Sequence, residues 1–314
     1  MTYNIGVDLG GTNIAIGLVN DAFSLVTKKS TPTPKEPEKI VEAIAALTDE
    51  IVKEAGISYE EIASLGIACP GIVNRESGEV VYANNIAFRH FPMGELLMKK
   101  LPLHAVYLEN DANAAALGEA KAGAARGAKN SIMVTLGTGV GGGIIIDGKV
   151  YMGSNCAAGE LGHIVIEKDG YPCSCGRRGC WEAYSSATGL IRMTKEKMDA
   201  CPDSLMHKLA KDGGKVSGRT AFDADRAGDK AAADVVAEYV SYLACGIANL
   251  INIFQPETIV IGGGICNERE NLLSRLEPIV RKEAYGGGVV AAPQLKIAEL
   301  GNDAGIIGAA CLGL

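Results

Sequence analysis

The chain carries one short pattern twice, and that repeat constrains its fold more than any other feature. Residues 3–9 (Tyr-Asn-Ile-Gly-Val-Asp-Leu) read as a strand, Gly10-Gly11-Thr12 as a tight turn, and Ile14 to Val19 as a returning strand. The pattern comes back as a strand from Ser131 to Thr135, a glycine turn from Leu136 to Gly142, and a strand from Gly143 to Ile146. Two related α/β lobes, each opening on a glycine hairpin, are the economical solution. Between the hairpins, Ile40, Val41, Ile44, Leu47, Ile51 and Val52 keep a helical period that Gly56 ends. Leu65 to Ala68 is a short buried strand that runs into the turn Cys69-Pro70-Gly71. A strand from Val106 to Leu108 delivers Asn110 and Asp111 to the top of an alanine-rich helix, 112–124. Further on come a long helix over 231–254, a strand from Thr258 to Ile261 and a closing helix of small residues. The boundary is expected near residue 112, giving lobes 1–112 and 113–300, with about 301–314 packing back on the first.

Composition narrows the function classes. A length of 314 residues accommodates two domains of about 100–150 residues each. Hydrophobic residues make up 47% and charged residues 21%, which excludes wholesale disorder. With 30 basic and 37 acidic side chains the net charge is -7, the wrong sign for a sequence-independent nucleic-acid binder. Glycine, at 40 residues, is well above the usual share of about 7%, as many tight turns and close backbone approaches require. No run reaches the ~18–20 consecutive apolar residues of a membrane span, since Asn249 and Asn252 interrupt the richest stretch. The N-terminal apolar run lacks a basic lead-in and is broken by Asp8, so no signal peptide is expected. Nine cysteines, three of them crowded between Cys173 and Cys180, do not form the pattern of a secreted disulfide scaffold. A reduced, cytoplasmic protein is expected.

Three groups of residues carry chemistry. In the first turn, Gly10 and Gly11 let backbone N–H groups converge on an anion, Thr12 and Asn13 add donors, and Asp8 suits the shell of a hydrated divalent cation. Alone, this is equally an ordinary hairpin turn. The second turn, with Gly137, Thr138, Gly139 and Gly141, offers a matching set without the Gly-Lys-Ser/Thr of a P-loop or the context of a dinucleotide fingerprint. Two such hairpins fit a nucleoside triphosphate gripped from both sides. The third group is Glu160-x-x-His163 followed by Cys173-x-Cys175 and Cys180. One imidazole and three thiolates make the closed tetrahedral set of a structural zinc site, with no position left for an activated water. Reduced, buried cysteines are the plainer reading. Asn110-Asp111 reads, on its own, as plain helix capping.

Together these motifs resemble the ROK (repressor, open reading frame, kinase) family and, within it, the bacterial glucokinase group. The likeness rests on Asp8-Leu9-Gly10-Gly11-Thr12, Asn110-Asp111-x-Asn113-Ala114, Leu136-Gly137-Thr138-Gly139-Val140-Gly141, Glu160-Leu161-Gly162-His163 and Cys173-x-Cys175-Gly176-x-x-Gly179-Cys180-x-Glu182. Gly262 to Gly264 and Asn302-Asp303-Ala304-Gly305 extend it. Trp181, where the family commonly has leucine, is a mild departure. The resemblance implies an actin-like, hexokinase-type (ribonuclease H-like) α/β fold in which two lobes close on ATP-Mg²⁺ and a sugar. It implies Asp111 as the base that takes the proton of the sugar's primary hydroxyl. Asn110, Glu160, His163 and Glu182 match sugar-hydroxyl contacts, and Gly71, Asn84 and Asn85 lie where the family lines its sugar pocket. Gly262, Gly263 and Gly264 join the glycine hairpins as the expected ATP site. Glucose is the expected hexose, ahead of N-acetylmannosamine, N-acetylglucosamine, allose or fructose, and a homodimer is implied. The family's repressors carry a DNA-binding segment ahead of the Asp-x-Gly-Gly-Thr motif. Here that motif starts at residue 8, so no nucleic-acid partner is expected, and a non-catalytic sugar sensor would need neither Asp111 nor the phosphate hairpins.

Overall fold

The computed structural model describes residues 2–83, 86–210, 215–287 and 289–314. The opening pattern forms β1 (Tyr3–Leu9) and β2 (Asn13–Asn20), extended by β3 (Leu25–Pro32), β4 (Ile62–Cys69) and, in a small separate sheet, β5 (Ile72–Asn74), β6 (Glu79–Tyr82) and β7 (Arg89–Phe91). With β8 (Val106–Asn110) the first sheet has the order β3-β2-β1-β4-β8. The hairpin strands pair antiparallel, while β1-β4 and β4-β8 pair parallel. Consecutive residues of β1 and β4 are buried, the mark of strands covered on both faces.

One cover is α1 (Pro37–Ala55), whose Ile40, Ile44, Leu47 and Ile51 join Ile5, Val7 and Leu9 in one core. Gly56, left-handed at φ 67°, ends it by donating to the carbonyls of Lys53 and Val52. Next come α2 (Met93–Lys100) and α3 (Asp111–Ala122). Later in the chain a second sheet, β9 (Ser131–Leu136), β10 (Val140–Ile146), β11 (Lys149–Val150), β12 (Thr258–Gly262) and β13 (Gln294–Ile297), has the order β11-β10-β9-β12-β13. That is the order of the first sheet over again.

The remaining helices among the described residues are α4 (Glu182–Ser185), α5 (Ala187–Ala200), α6 (Met206–Leu209), α7 (Thr220–Arg226), α8 (Lys230–Phe254), α9 (Glu270–Glu283) and α10 (Ala304–Ala310). By length and composition α8 could cross a membrane, yet it packs against α5, α7 and α9 with Val236, Val240, Leu243 and Ile247 buried.

By compactness the chain divides into two units. One holds residues up to Met133 with Gly143–Gly159 and Glu299–Leu314; the other holds Val134–Gly142 and Glu160–Ala298. This places α3 in the first unit, whereas the sequence reading starts the second lobe at residue 113. The reason is close packing of α3 along α10, which also lies on β1 and β4. A Cβ on Gly6, Gly66 or Gly118 would come within 2.4 Å of a carbonyl oxygen of α10. Much of the glycine excess is spent on such backbone-to-backbone approaches.

In the second unit Trp181 is fully buried and donates its indole N–H to the carbonyl of Tyr242 at 3.0 Å. Its ring fills the space a side chain at Gly246 would occupy, with a Cβ there meeting the indole at 2.0 Å. Gly246→Ala is therefore expected to destabilise by about 1–3 kcal/mol or more through overpacking, although alanine is the better helix former. Thermal melting checks this: a midpoint unchanged or raised would show that the indole moves aside freely.

Candidate active site and metal centre

In the first unit, β1 carries Asp8 to the turn Gly10–Thr12. Gly10 donates to the carbonyl of Asn13 at 2.9 Å, and the Thr33 hydroxyl donates to the Gly10 carbonyl at 2.7 Å. A cavity of about 860 Å³ borders Gly11 and is lined also by Thr33, Lys35, Tyr82, Phe88 and Arg89. Asp8 lies beside Gly305 at the start of α10, where a Cβ would stand 3.0 Å from the carboxylate. Burial first, and then the Asp111 carboxylate, push the Asp8 pKa up to about 6.

Asn110 ends β8 and caps α3, its Oδ1 accepting from the N–H groups of Ala112 at 3.0 Å and Asn113 at 3.3 Å. The capping that the residues alone suggest is present. It leaves Asp111, in the first turn of α3, with an exposed side chain. The Asn110 amide donates to the carbonyl of Gly71 at 3.1 Å. Gly71 has φ 97°, and a Cβ there would stand 2.1 Å from the carbonyl oxygen of Tyr82, so only glycine serves. Asp8, Gly10, Gly11, Thr12, Asn13, Gly71, Asn110 and Asp111 thus share the first unit. Asn84 and Asn85 lie outside the described residues.

In the second unit, Gly137, Thr138 and Gly139 form the turn between β9 and β10, and Gly141 lies within β10. The turn is tied to the start of α5, where Ala187 donates to the Gly137 carbonyl at 2.8 Å and the Thr188 hydroxyl to the Thr138 carbonyl at 2.7 Å. Gly262 ends β12, Gly263 presses on the backbone of Leu136, and Gly264 opens a 3₁₀ turn. The two glycine segments, distant in sequence, therefore meet. A cavity of about 440 Å³ alongside is lined by Thr138, Gly139, Cys173, Glu182, Thr188 and Arg192.

His163, Cys173, Cys175 and Cys180 bring one donor atom each within 4.8 Å of one another. Cys175 Sγ and Cys180 Sγ are 3.7 Å apart, and Cys173 Sγ is 3.6 Å from His163 Nδ1. A tetrahedral ion with bonds of about 2.3 Å to sulfur and about 2.0 Å to nitrogen needs edges of about 3.5–3.8 Å. These two edges match such an ion, and all four donor atoms lie within 4.8 Å of one another. Protein groups alone leave the sulfurs unequal: burial raises Cys173 and pushes Cys180 up to about 12, while the Arg177 backbone N–H holds Cys175 below its ordinary value. Glu182 joins this loop to the glycine turn. Its Oε2 accepts from the Val140 N–H at 3.0 Å, close enough that a Cβ at Gly139 would collide with it, and its Oε1 is 3.6 Å from Cys173 Sγ. Glu160 accepts the His163 N–H at its carbonyl, at 3.1 Å, and is exposed.

Residues 4–314 match the model of the ROK family. The chain belongs to that family. Its relatives include a glucokinase of Streptomyces coelicolor, 39% identical over 315 residues that cover 99% of this chain and 98% of that one. Among solved structures it is similar to a ROK family glucokinase from Streptomyces griseus in complex with glucose and AMPPNP, with 37% identity, a TM-score of 0.79, and 99% and 98% of the two chains covered. A ROK hexokinase from Thermus thermophilus gives 35% identity, a TM-score of 0.83, and coverage of 98% and 97%. The fold is the actin-like, hexokinase-type α/β fold of these ROK sugar kinases.

Sequence reasoning missed one buried carboxylate beside Asn110. Glu109, just before Asn110, is 2% exposed; its Oε1 accepts from the Asn110 N–H at 2.8 Å and from Asn113 Nδ2 at 3.1 Å, and Arg75 pairs with it. The available signal was a carboxylate that follows three apolar or aromatic residues inside a strand.

The raised Asp8 pKa has a pH consequence in this ROK chain. Between about pH 4 and 6 the folded state holds a proton that the unfolded chain, near the ordinary 3.8, has released. The group's contribution to stability is therefore full below pH 4 and is lost as pH rises through 6, by about 2–3 kcal/mol. Asp8→Asn should remove that loss. Melting curves of both proteins from pH 4.5 to 7.5, without added divalent cations, check it: the variant should gain on the wild type as pH rises. A constant difference would contradict the buried-carboxylate account.

Proposed function

We propose that the protein transfers the γ-phosphoryl group of ATP to the primary hydroxyl of a hexose, glucose giving glucose 6-phosphate. The observation that carries this reading is the exposed Asp111 carboxylate on the first turn of α3, held beside Asn110 and within electrostatic reach of Asp8. The likeness to the glucose- and AMPPNP-bound Streptomyces griseus glucokinase over 99% of the chain supports it.

In this mechanism Asp111 accepts the hydroxyl proton as the sugar oxygen attacks phosphorus. Phosphoryl transfer depends mainly on positioning and charge stabilisation, so a carboxylate is base enough. Asn110 and Gly71, and in the other unit Glu160, His163 and Glu182, are the residues assigned to the sugar in this reading. The turns at Gly10–Asn13 and Gly137–Gly141, with Gly262–Gly264, present backbone N–H groups to the nucleotide phosphates. Mg²⁺ would supply neutralising charge to those phosphates, with Asp8 as the carboxylate that would orient its hydration shell. His163, Cys173, Cys175 and Cys180 would hold a structural zinc ion, and the imidazole, whose Nδ1 faces Cys173 Sγ, would keep Nε2 for the sugar. The homodimer implied by the family resemblance belongs to the same reading.

Initial rates of ADP release on a panel of hexoses and amino sugars with Mg-ATP test it. Glucose is expected to give the highest kcat/KM. A tenfold preference for an N-acetylated hexosamine, about 1.4 kcal/mol of transition-state discrimination, would move the substrate and keep the kinase. No ADP release with any sugar would end the reading.

A further inference from the structure

We propose that Arg75 and Glu109 are positioning residues: their ion pair locks the Asn110–Asp111 turn to the segment that begins at Gly71. This rests on the kinase reading above. Glu109 is a carboxylate with 3% of its side chain exposed, and its Oε2 lies 2.9 Å from Nε of Arg75, itself three-quarters buried. Its other oxygen takes two donors, the Asn110 backbone N–H and the Asn113 side chain, whereas buried Oε2 has no hydrogen bond and faces only the Arg75 charge. Asn110 is consequently held at three atoms: its N–H by Glu109, its Nδ2 by the Gly71 carbonyl, and its Oδ1 by the first N–H groups of α3.

The arrangement has a mechanical reading. Gly71 and Arg75 flank β5, so this strand is tied at both ends to the turn that presents Asp111. One end meets Asn110, and the other meets the residue before it. A proton acceptor misplaced by about 1 Å can cost two orders of magnitude in rate, which gives the clamp its purpose. A buried ion pair is a poor choice for stability alone, because apolar residues of similar volume serve as well or better.

The test uses the full-length protein with Mg-ATP and glucose, comparing wild type with Arg75→Met, Glu109→Gln and the double variant. Each single change should lower kcat about tenfold and raise the glucose KM several-fold, with the ATP KM within twofold of wild type. Glu109→Gln keeps the acceptor for both asparagine donors but turns an N–H toward the guanidinium. Removing the cation as well should restore kcat to within about threefold of wild type. Losses that simply add in the double variant would overturn the clamp. So would a lower melting midpoint with kcat per folded chain unchanged, the signature of a structural pair only. If Arg75→Met does not fold, Arg75→Lys carries the test: kcat at least threefold down at an unchanged midpoint supports the clamp, and wild-type kcat overturns it. A wild type that phosphorylates no hexose would remove the kinase reading and this inference together, an outcome distinct from an active wild type with indifferent variants.

Discussion

Asp111→Asn is expected to lower kcat by about a hundredfold or more while weakening glucose binding far less. The substitution keeps size and most hydrogen bonding: Asn110 still caps α3, and the new amide oxygen keeps an acceptor for the Ala112 N–H that Asp111 Oδ1 accepts at 2.8 Å. What disappears is the proton acceptor, whose contribution when well placed is about 10²–10⁴-fold. The change also removes a negative charge that raises Asp8, so the Asp8 carboxylate should ionise more readily in the variant. Steady-state kcat together with calorimetric glucose affinity reads both effects. Near-normal kcat in a folded Asp111→Asn protein would take this residue out of the role of base.

Cys175→Ala should empty the proposed zinc site and, with it, disorganise the proposed sugar contacts. A tetrahedral set that loses one thiolate holds the others poorly, and loss of a structural metal ranks among the large destabilising changes. The damage should begin in the loop and spread along its covalent and hydrogen-bonded connections. His163 loses the tie at Nδ1. Glu182, two residues beyond Cys180 and beside Cys173 Sγ, loses a fixed neighbour. Glucose affinity is expected to fall by tenfold or more and the melting midpoint by several degrees, with nucleotide affinity nearly unchanged. Elemental analysis for zinc and calorimetry with glucose and with nucleotide, on both proteins, provide the check. Wild-type protein prepared under reducing, metal-replete conditions with far less than one zinc per chain would sink the site. A metal-free variant with full glucose affinity would reduce zinc to a remote staple.

Glycine made the skeleton of this fold legible, because hairpin turns and helix ends that need it stand out against periodic apolar stretches. Both hairpins, α1 with its Gly56 cap, β8 leading into Asn110–Asp111, and the long α8 could be read from local spacing. The edge strand β3 could not. Its Lys28, Lys29, Ser30 and Thr31 sit where one face meets water, and they carry no apolar signature. The strands β5, β6 and β7 are three or four residues long, too short for periodicity to speak. At the candidate site, the cysteine cluster announced itself by crowding, and Asp111 only through the motif around it. The Arg75–Glu109 pair joins positions that share no motif, and neither the role of Gly246 as room for Trp181 nor that of Gly139 as room for Glu182 follows from neighbours in the chain. Such relations exist only once distant segments have met.

The packing of α10 on β1, β4 and α3 sets an order of events during synthesis. The Glu299–Leu314 segment leaves the ribosome only after the entire second unit has been made. Until then one face of the first sheet has no partner for Gly6 and Gly66, and α3 lacks the helix it leans on at Gly118. Domains generally mature in the order they are translated, but here the earlier-started unit is the later one to be finished. A nascent chain stalled before residue 299 should therefore protect the second unit from protease while leaving β1 and β4 open to chaperones, and emergence of residues 299–314 should close the first unit in one late step.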